Sequence, residues 1–233
     1  GFLPPILEWA KRRILVVGGV TLEKPLQDAV TQRVLSPVEL AVLLPNFKDH
    51  HGICARFMLH TGSRLTEATE ATWSQIDLEA KTWTLPPETR KDTRTLSRRR
   101  QKPKQALVIP LSRQASQLLQ ETREADIARR RLNGLPDGIC QKDLLFVGPK
   151  GAKLSNWDRW LKAKTTETGV GGWSAHALRR TTATLAGDLG AAPHIVSVVL
   201  GHSNIGGQLV AGYNQSPYRS EHVLILQRIA DKL

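Results

Sequence analysis

Residues 173–213 constrain the possible fold more than any other part of the chain. This stretch contains two short apolar segments of helical character, separated by the tight turn DLGAAP. His176 and Arg179 are three residues apart in the first segment, so both side chains lie on one face of the predicted helix. His202 follows a glycine after the second segment, and Tyr213 comes eleven residues later. The stretch therefore predicts a helical unit that presents cationic donors and one hydroxyl nucleophile, the groups that phosphoryl transfer requires when no metal takes part.

The charge balance narrows the class of partner. Lys and Arg number 33 against 21 Asp and Glu, which gives a formal net charge of +12. A solvated basic surface would explain a modest excess, but an excess this large favours a polyanionic partner, most often nucleic acid. A membrane surface is the rival partner, yet no apolar run is long enough to span a bilayer and no basic amphipathic helix stands out. The two cysteines, Cys54 and Cys140, lie far apart and predict no disulfide framework, which fits a reducing cytoplasm.

The chain changes character near residue 33. Residues 6–17 show the pattern of a helix end, and the segment that follows, as far as Arg33, has no clear periodicity. A capping box, S-P-V-E with proline at the first helical position, begins at Ser36 and predicts the start of a helix. We therefore expect residues 1–32 to be the end of a preceding helical domain plus a linker. Residues 33–233 are expected to form one domain that ends in a C-terminal helix.

The sequence of residues 33–233 predicts an α+β fold that is mainly α-helical, with a small three-stranded antiparallel sheet. Helices are predicted at residues 36–44, 51–61, 63–70, 111–132, 155–166, 176–187, 194–202 and 219–233, and strands at 73–77, 82–85 and 106–110. Ser63 or Thr66 is the expected N-cap of the third helix, and Ser155 that of the fifth.

The C-terminal helix is predicted to be amphipathic. Its expected apolar face consists of Val223, Leu226, Ile229, Ala230 and Leu233. That face could dock on a neighbouring subunit or pack on its own domain, and the sequence leaves both possibilities open.

Arg64 and Glu67 form a second pair at helical spacing, in the segment SRLTE. Residues three apart on a helix can touch, so a salt bridge is expected. Such a bridge is either an ordinary surface pair or an arginine held in place by a supporting carboxylate, and the pair alone does not decide.

Residues 88–105 form a strongly basic segment, ETRKDTRTLSRRRQKPKQ, between the second and third strands. Because it is hardly apolar, we expect a hairpin extension that points into solvent and contacts DNA phosphate or a groove. The residues assigned to this contact are Arg94, Arg98, Arg99, Arg100, Lys102 and Lys104.

Other chemistries lack their motifs. The seven histidines show neither an H-E-x-x-H pattern nor Cys/His-rich spacing, so no metal site is predicted. The chain also has no G-x-S-x-G elbow and no phosphate-binding P-loop, so neither a serine hydrolase nor ATP use is supported.

Several motifs in a fixed order make the chain resemble a known family. They are VLSPVEL, TGSRLTE with Arg64, a strand-turn-strand carrying Lys91, HALRRT with His176 and Arg179, LGHSNI with His202, and a C-terminal Tyr213. Together they resemble the catalytic domain of the tyrosine recombinases, the phage integrase family, over about residues 33–230. The run LEWAKRR near the start resembles the end of that family's preceding DNA-clamping domain.

The resemblance implies an enzyme that cleaves and rejoins DNA strands through a 3′-phosphotyrosyl intermediate, without metal or nucleotide. The implied catalytic residues are Arg64, Lys91, His176, Arg179, His202 and Tyr213, with Glu67 orienting Arg64 or His176. Tyr218 is the alternative nucleophile, and Lys102 and Lys104 are the alternatives to Lys91. The approach to the tyrosine, GGQLVAG, departs from the family's usual threonine-rich pattern, and the interval after His202 is slightly long. The placement of the tyrosine helix is therefore open.

The resemblance further implies the partners and location. We expect double-stranded DNA as substrate, a homotetramer on two DNA sites that can be monomeric without DNA, no cofactor, and a cytoplasmic, nucleoid-associated protein of a bacterial host. Two alternatives share many of these features: a type IB topoisomerase-like enzyme, and a catalytically silent DNA-binding regulator. Binding alone does not require a phenol, so the presence of Tyr213 argues against the regulator.

Overall fold

The structure, a computed structural model, describes residues 33–89, 106–136, 138–140, 142–202 and 219–233. Within these ranges the helices are α1 (Pro37–Leu43), α2 (His50–Thr61), α3 (Leu65–Thr69), α4 (Arg113–Leu132), α5 (Trp157–Thr168), α6 (Ala175–Asp188), α7 (Pro193–Val199) and α8 (Arg219–Lys232). The strands are β1 (Ile76–Asp77), β2 (Thr82–Leu85) and β3 (Leu107–Pro110). The predicted α+β, mainly helical fold with a three-stranded antiparallel sheet is confirmed. The expected organisation of residues 1–32 lies outside the described residues.

Helix α1 begins as its sequence predicts. The Ser36 hydroxyl accepts a hydrogen bond from the Glu39 N–H, and the Glu39 carboxylate accepts one from the Ser36 N–H at 2.9 Å. Pro37 occupies the first helical position, where its missing N–H costs nothing. Arg33 also pairs with Glu39, and this contact fixes Arg33 at the start of α1.

The sheet has the order β1-β2-β3, and its buried face rests on α2. Trp83 of β2 lies opposite Ile109 of β3, and the Trp83 and Phe57 ring centroids are 4.9 Å apart. The first strand is shorter than predicted, because residues 73–75 form a 3₁₀ turn. At this point the Trp73 N–H donates to the Asp143 carbonyl, so the backbone pairs with a later loop instead of with β2.

Helix α2 is the central element of the core. Among its fully buried residues are Cys54, Phe57, Met58 and Leu59. Helix α6 crosses it, and the buried Thr182 hydroxyl donates to the Leu59 carbonyl at 2.9 Å. Burial of these side chains therefore fixes α6, which carries His176 and Arg179, against α2.

Two predicted helix N-caps are wrong. Helix α3 is preceded by Arg64 and not by Ser63 or Thr66, because the Ser63 hydroxyl already accepts from Thr61. Helix α5 is preceded by Asn156 in a left-handed conformation, with φ of +58°. Asparagine tolerates this conformation better than serine does, so the chain turns one residue later than predicted.

Helix α8 packs on its own domain, against α4, α6, α7 and β3. Its buried residues are His222, Ile225, Leu226, Ile229 and Ala230. The prediction that Val223 belongs to this face is wrong, since Val223 is 52% exposed. The buried positions follow the helical repeat that starts at His222, and Val223 lies about 100° further round.

Across the part of the chain that the structure describes, no helix has the length and apolar character needed to cross a membrane.

Candidate active site

Arg64 and Glu67 are held together where α3 begins. The Arg64 guanidinium donates to one Glu67 carboxylate oxygen at 2.7 Å, and the Arg64 backbone N–H donates to the other at 2.8 Å. Glu67 is 4% exposed, whereas the Arg64 side chain is 26% exposed. The carboxylate is therefore a buried support, and the arginine it orients reaches the surface. This geometry favours the second of the two interpretations of the pair, an arginine held in place.

Arg179 lies deeper, on α6, and joins two helix ends. Its Nη1 donates to the Gly62 carbonyl at the end of α2, and its Nη2 donates to the Leu200 carbonyl at the end of α7. The residue is only 5% exposed. Burial and then the nearby charge of Arg64 lower the pKa of Arg179 to about 10, an effect that Glu67 opposes. Arg179 remains cationic at neutral pH and fixes the loops on either side of it.

Gly62 allows the first of these contacts. It ends α2 in the left-handed region, with φ of +64°, and its N–H donates to the Met58 carbonyl at 2.8 Å. A side chain is disfavoured in that conformation. The glycine thus turns the chain out of α2 so that its carbonyl meets Arg179 and Arg64 follows two residues later.

His176 is the second residue of α6, one turn before Arg179. The helix begins at the Ser174 cap, whose hydroxyl accepts from the Ala177 N–H at 3.3 Å. His176 is exposed, although its ring is partly desolvated by its surroundings. This desolvation, followed by the charges of Arg180, Arg179 and Arg64, lowers the pKa of His176 below its ordinary value.

His202 is positioned by the end of α7. Gly201 has φ of +59°, its N–H donates to the Val198 carbonyl at 2.8 Å, and the His202 N–H donates to the Ser197 carbonyl at 3.0 Å. This is the Schellman pattern of helix termination, which requires a left-handed residue just before His202. The exposed imidazole has its pKa lowered by partial burial, then by the charges of Arg179 and Arg64.

The structure therefore brings together four of the six predicted catalytic residues, although they come from three separate parts of the sequence. Arg179 bonds the Gly62 and Leu200 carbonyls, which precede Arg64 and His202 by two residues each. His176 lies one turn before Arg179 on α6, so the four residues share one site. Two guanidinium groups and two imidazoles around one supporting carboxylate form a site for an anion. Two open depressions of about 510 and 280 Å³ lie elsewhere, and none of the four residues lines them.

The remaining predicted site residues lie outside the described residues. They are Lys91, Tyr213, the alternative nucleophile Tyr218, and the DNA-contact residues Arg94, Arg98, Arg99, Arg100, Lys102 and Lys104. Their assignments stay predictions. Within the described ranges, no group of three or more His, Cys, Asp or Glu side chains is arranged to hold a metal ion.

Two features of the site were not predicted from the sequence: the bonds of Arg179 to two backbone carbonyls and the effect of the Arg180 charge on His176. Arg179 was identified as a phosphate ligand only, because its carbonyl partners lie 117 and 21 residues away in the chain. Helical spacing does place Arg180 one turn after His176, so that proximity could have been found from the sequence.

The fold and the motifs around this site point to one protein family. The sequence profile of the phage integrase family matches residues 33–218, and the chain belongs to that family. No curated protein sequence matches the chain significantly.

Solved structures show the same fold. The crystal structure of XerA recombinase is similar with a TM-score of 0.54 and 19% identity, over 82% of this chain and 64% of that chain. XerH site-specific recombinase bound to difH substrate gives 0.53 and 20%, over 74% of this chain and 47% of that one. The Tn1549 transposon integrase in complex with circular intermediate DNA gives 0.52 and 18%, over 82% and 64%. The chain thus spans 47–64% of the length of these three proteins.

Proposed function

We propose that this protein is a site-specific DNA recombinase or integrase that cleaves and rejoins DNA through a 3′-phosphotyrosyl intermediate. The observation that carries the proposal is the convergence of Arg64, His176, Arg179 and His202 on one site, where Arg179 bonds the backbone just before Arg64 and just before His202. A phosphodiester in the act of strand transfer gains negative charge on its nonbridging oxygens. A cluster of fixed N–H donors is complementary to that charge, and removing one such donor typically costs about 10²–10³ in rate.

The proposed reaction exchanges one phosphate ester for another. The Tyr213 phenol oxygen attacks the scissile phosphorus, forms the new O–P bond and gives its proton to a neutral imidazole of the site. The bond from phosphorus to the 5′-oxygen breaks, and Lys91 donates a proton to that leaving oxygen. A phenol has a pKa of about 10, so its proton must depart as attack proceeds. The ester energy is kept in the phosphotyrosyl bond, so that rejoining needs no nucleotide or metal.

The two arginines have different parts in this scheme. Arg64, partly exposed and oriented by Glu67, offers a planar guanidinium to the phosphate oxygens. Arg179 uses one N–H of each terminal nitrogen on the Gly62 and Leu200 carbonyls, which leaves its other N–H groups for the same phosphate. His176 and His202 supply further hydrogen bonds and the acceptor for the tyrosine proton.

DNA is the proposed partner because the chain carries a net charge of +12 and belongs to this family. The structurally similar XerH was solved bound to difH substrate, and Tn1549 integrase with circular intermediate DNA. We assign phosphate or groove contacts to Arg94, Arg98, Arg99, Arg100, Lys102 and Lys104. We also propose that residues 1–32 end a preceding DNA-clamping domain, and that four copies assemble on two DNA sites in the bacterial nucleoid.

Trapping of the covalent intermediate tests the proposal. A DNA site nicked close to the scissile phosphate loses its short 5′-hydroxyl strand, so that rejoining is impossible and the protein–DNA adduct accumulates. The unchanged chain should form the adduct, Tyr213→Phe should form none, and Tyr218→Phe should form it normally. A gel-shift assay of Tyr213→Phe serves as the control, because DNA binding should persist. An adduct formed by Tyr213→Phe but not by Tyr218→Phe would refute the choice of nucleophile.

A further inference from the structure

We propose that Arg180 is a positioning residue of the site, whose charge holds the His176 imidazole in the neutral form, the form that can accept a proton. The catalytic consequence rests on the proposed function, but the charge effect itself does not. Arg180 is not among the predicted phosphate ligands, and it follows Arg179 directly in the HALRRT motif.

His176 lies at the start of its helix. It is the second residue of α6, directly after the Ser174 cap and Ala175. Backbone N–H groups at a helix start carry partial positive charge, and this field disfavours a cation within the first turn. Protonation of His176 is therefore opposed by the backbone before any side chain is considered.

The charged side chains around the His176 ring are cationic. Arg180 is one helical turn after His176 on the same face of α6, a spacing that places the Cβ atoms about 5–6 Å apart. In the described residues the charged groups that act on His176 are Arg180 and Arg179 from α6 and Arg64 from the start of α3. All three are cations. Partial burial of the ring is the largest cause of the lowered pKa of His176, and the charge of Arg180 is the largest of the three charge effects.

Arg180 is the cation of these three that lies outside the proposed phosphate clamp. Arg64 is bound to Glu67 and belongs to the proposed phosphate clamp. Arg179 is fixed by two carbonyl oxygens and belongs to the proposed phosphate clamp. Removal of Arg180 therefore changes the field at His176 while the clamp contacts of both other arginines remain in place.

A neutral imidazole matters because a general base must be unprotonated at the working pH. An unperturbed histidine titrates at a pKa of about 6.5, so a site rich in cations extends the neutral form to lower pH. Loss of the Arg180 charge raises the pKa of His176. The rate of a reaction that needs neutral His176 then begins to fall at a higher pH on acidification.

The test is an NMR titration of the His176 ring in the full chain, with the resonance assigned by comparison with a His176→Gln sample. We expect Arg180→Gln to move the titration midpoint of His176 upwards. Arg180→Lys, which keeps the charge, should leave it near that of the unchanged chain. Arg228→Gln is the matched control, because it removes one charge from an exposed position of α8.

The outcomes separate the alternatives. An unchanged midpoint in Arg180→Gln, or a shift equally large in Arg228→Gln or in Arg180→Lys, overturns the proposal. The rate of adduct formation against pH is the second readout, and its acidic limb should move upwards in Arg180→Gln only. If the NMR shift occurs but the unchanged chain forms no adduct at any pH, the proposed function fails while the charge effect of Arg180 stands.

Discussion

Replacement of Arg179 by lysine should cost stability as well as activity, because Arg179 connects two helix ends inside the protein. It is 5% exposed, and its two terminal nitrogens donate to the carbonyls of Gly62 and Leu200. A lysine ammonium is a single point donor and does not reproduce the fork that spans both oxygens. At least one carbonyl therefore loses its charged partner.

The magnitude follows from the number of bonds lost. A hydrogen bond to a charged group contributes about 1.5–3 kcal/mol, so Arg179→Lys should lower the free energy of unfolding by roughly 2–3 kcal/mol. The matched control is Arg64→Lys. The Arg64 side chain is 26% exposed, and lysine can still pair with Glu67, so the expected loss is below about 1 kcal/mol.

Urea unfolding of both variants, followed by circular dichroism, measures the difference. With a urea slope of about 1–3 kcal/mol per molar, the Arg179→Lys midpoint should fall by about 0.7–3 M, and by more than the Arg64→Lys midpoint. Hydrogen exchange at the His202 amide should also accelerate in Arg179→Lys, since the Leu200 carbonyl anchors that turn. Equal and small midpoint shifts in the two variants would refute the structural role of Arg179.

Two further predictions concern stability. In urea titrations, Gly201→Ala should lower the free energy of unfolding more than Gly169→Ala does. Both positions have positive φ, which strains an alanine by about 1–2 kcal/mol. Only at Gly201 would the new Cβ lie 2.6 Å from Leu107 Cδ2. Equal losses would show that the Leu107 contact costs nothing. Burial lowers the pKa of His222 to about 4 from 6.5, so the unfolded chain binds this proton more readily and stability should fall as pH drops through that interval. In His222→Leu, the free energy of unfolding that is lost on acidification should be smaller by roughly 3 kcal/mol. An unchanged pH dependence of unfolding would contradict this role of His222.

Local signals in the sequence were sufficient for elements whose causes are local. The capping box at Ser36 and the left-handed glycine at Gly62 lie next to the helix ends that they define. The common helix face of His176 and Arg179 follows from spacing alone. The three-residue spacing also predicts the contact between Arg64 and Glu67. The burial of Glu67 depends on the rest of the fold and was not predicted.

Features that depend on distant parts of the chain were not predictable in this way. The choice of Arg179 as a link between Gly62 and Leu200 appears only when α2, α6 and α7 are packed. His222 was not assigned to the core because histidine is buried less often than apolar residues, and Val223 was assigned to the apolar face of α8 instead, whereas Leu226, Ile229 and Ala230 are buried as predicted. The Arg179 link depends on tertiary packing, whereas the helical repeat of α8 itself places His222 on the buried face.

The most direct measurement of the central claim is mass spectrometry of the trapped protein–DNA adduct after proteolysis. We expect one peptide in which Tyr213 carries a nucleotide through a 3′-phosphate, together with a released DNA strand that ends in a 5′-hydroxyl. Attachment at Tyr218 or at any residue other than Tyr213, or a 5′-phosphate linkage, would contradict it.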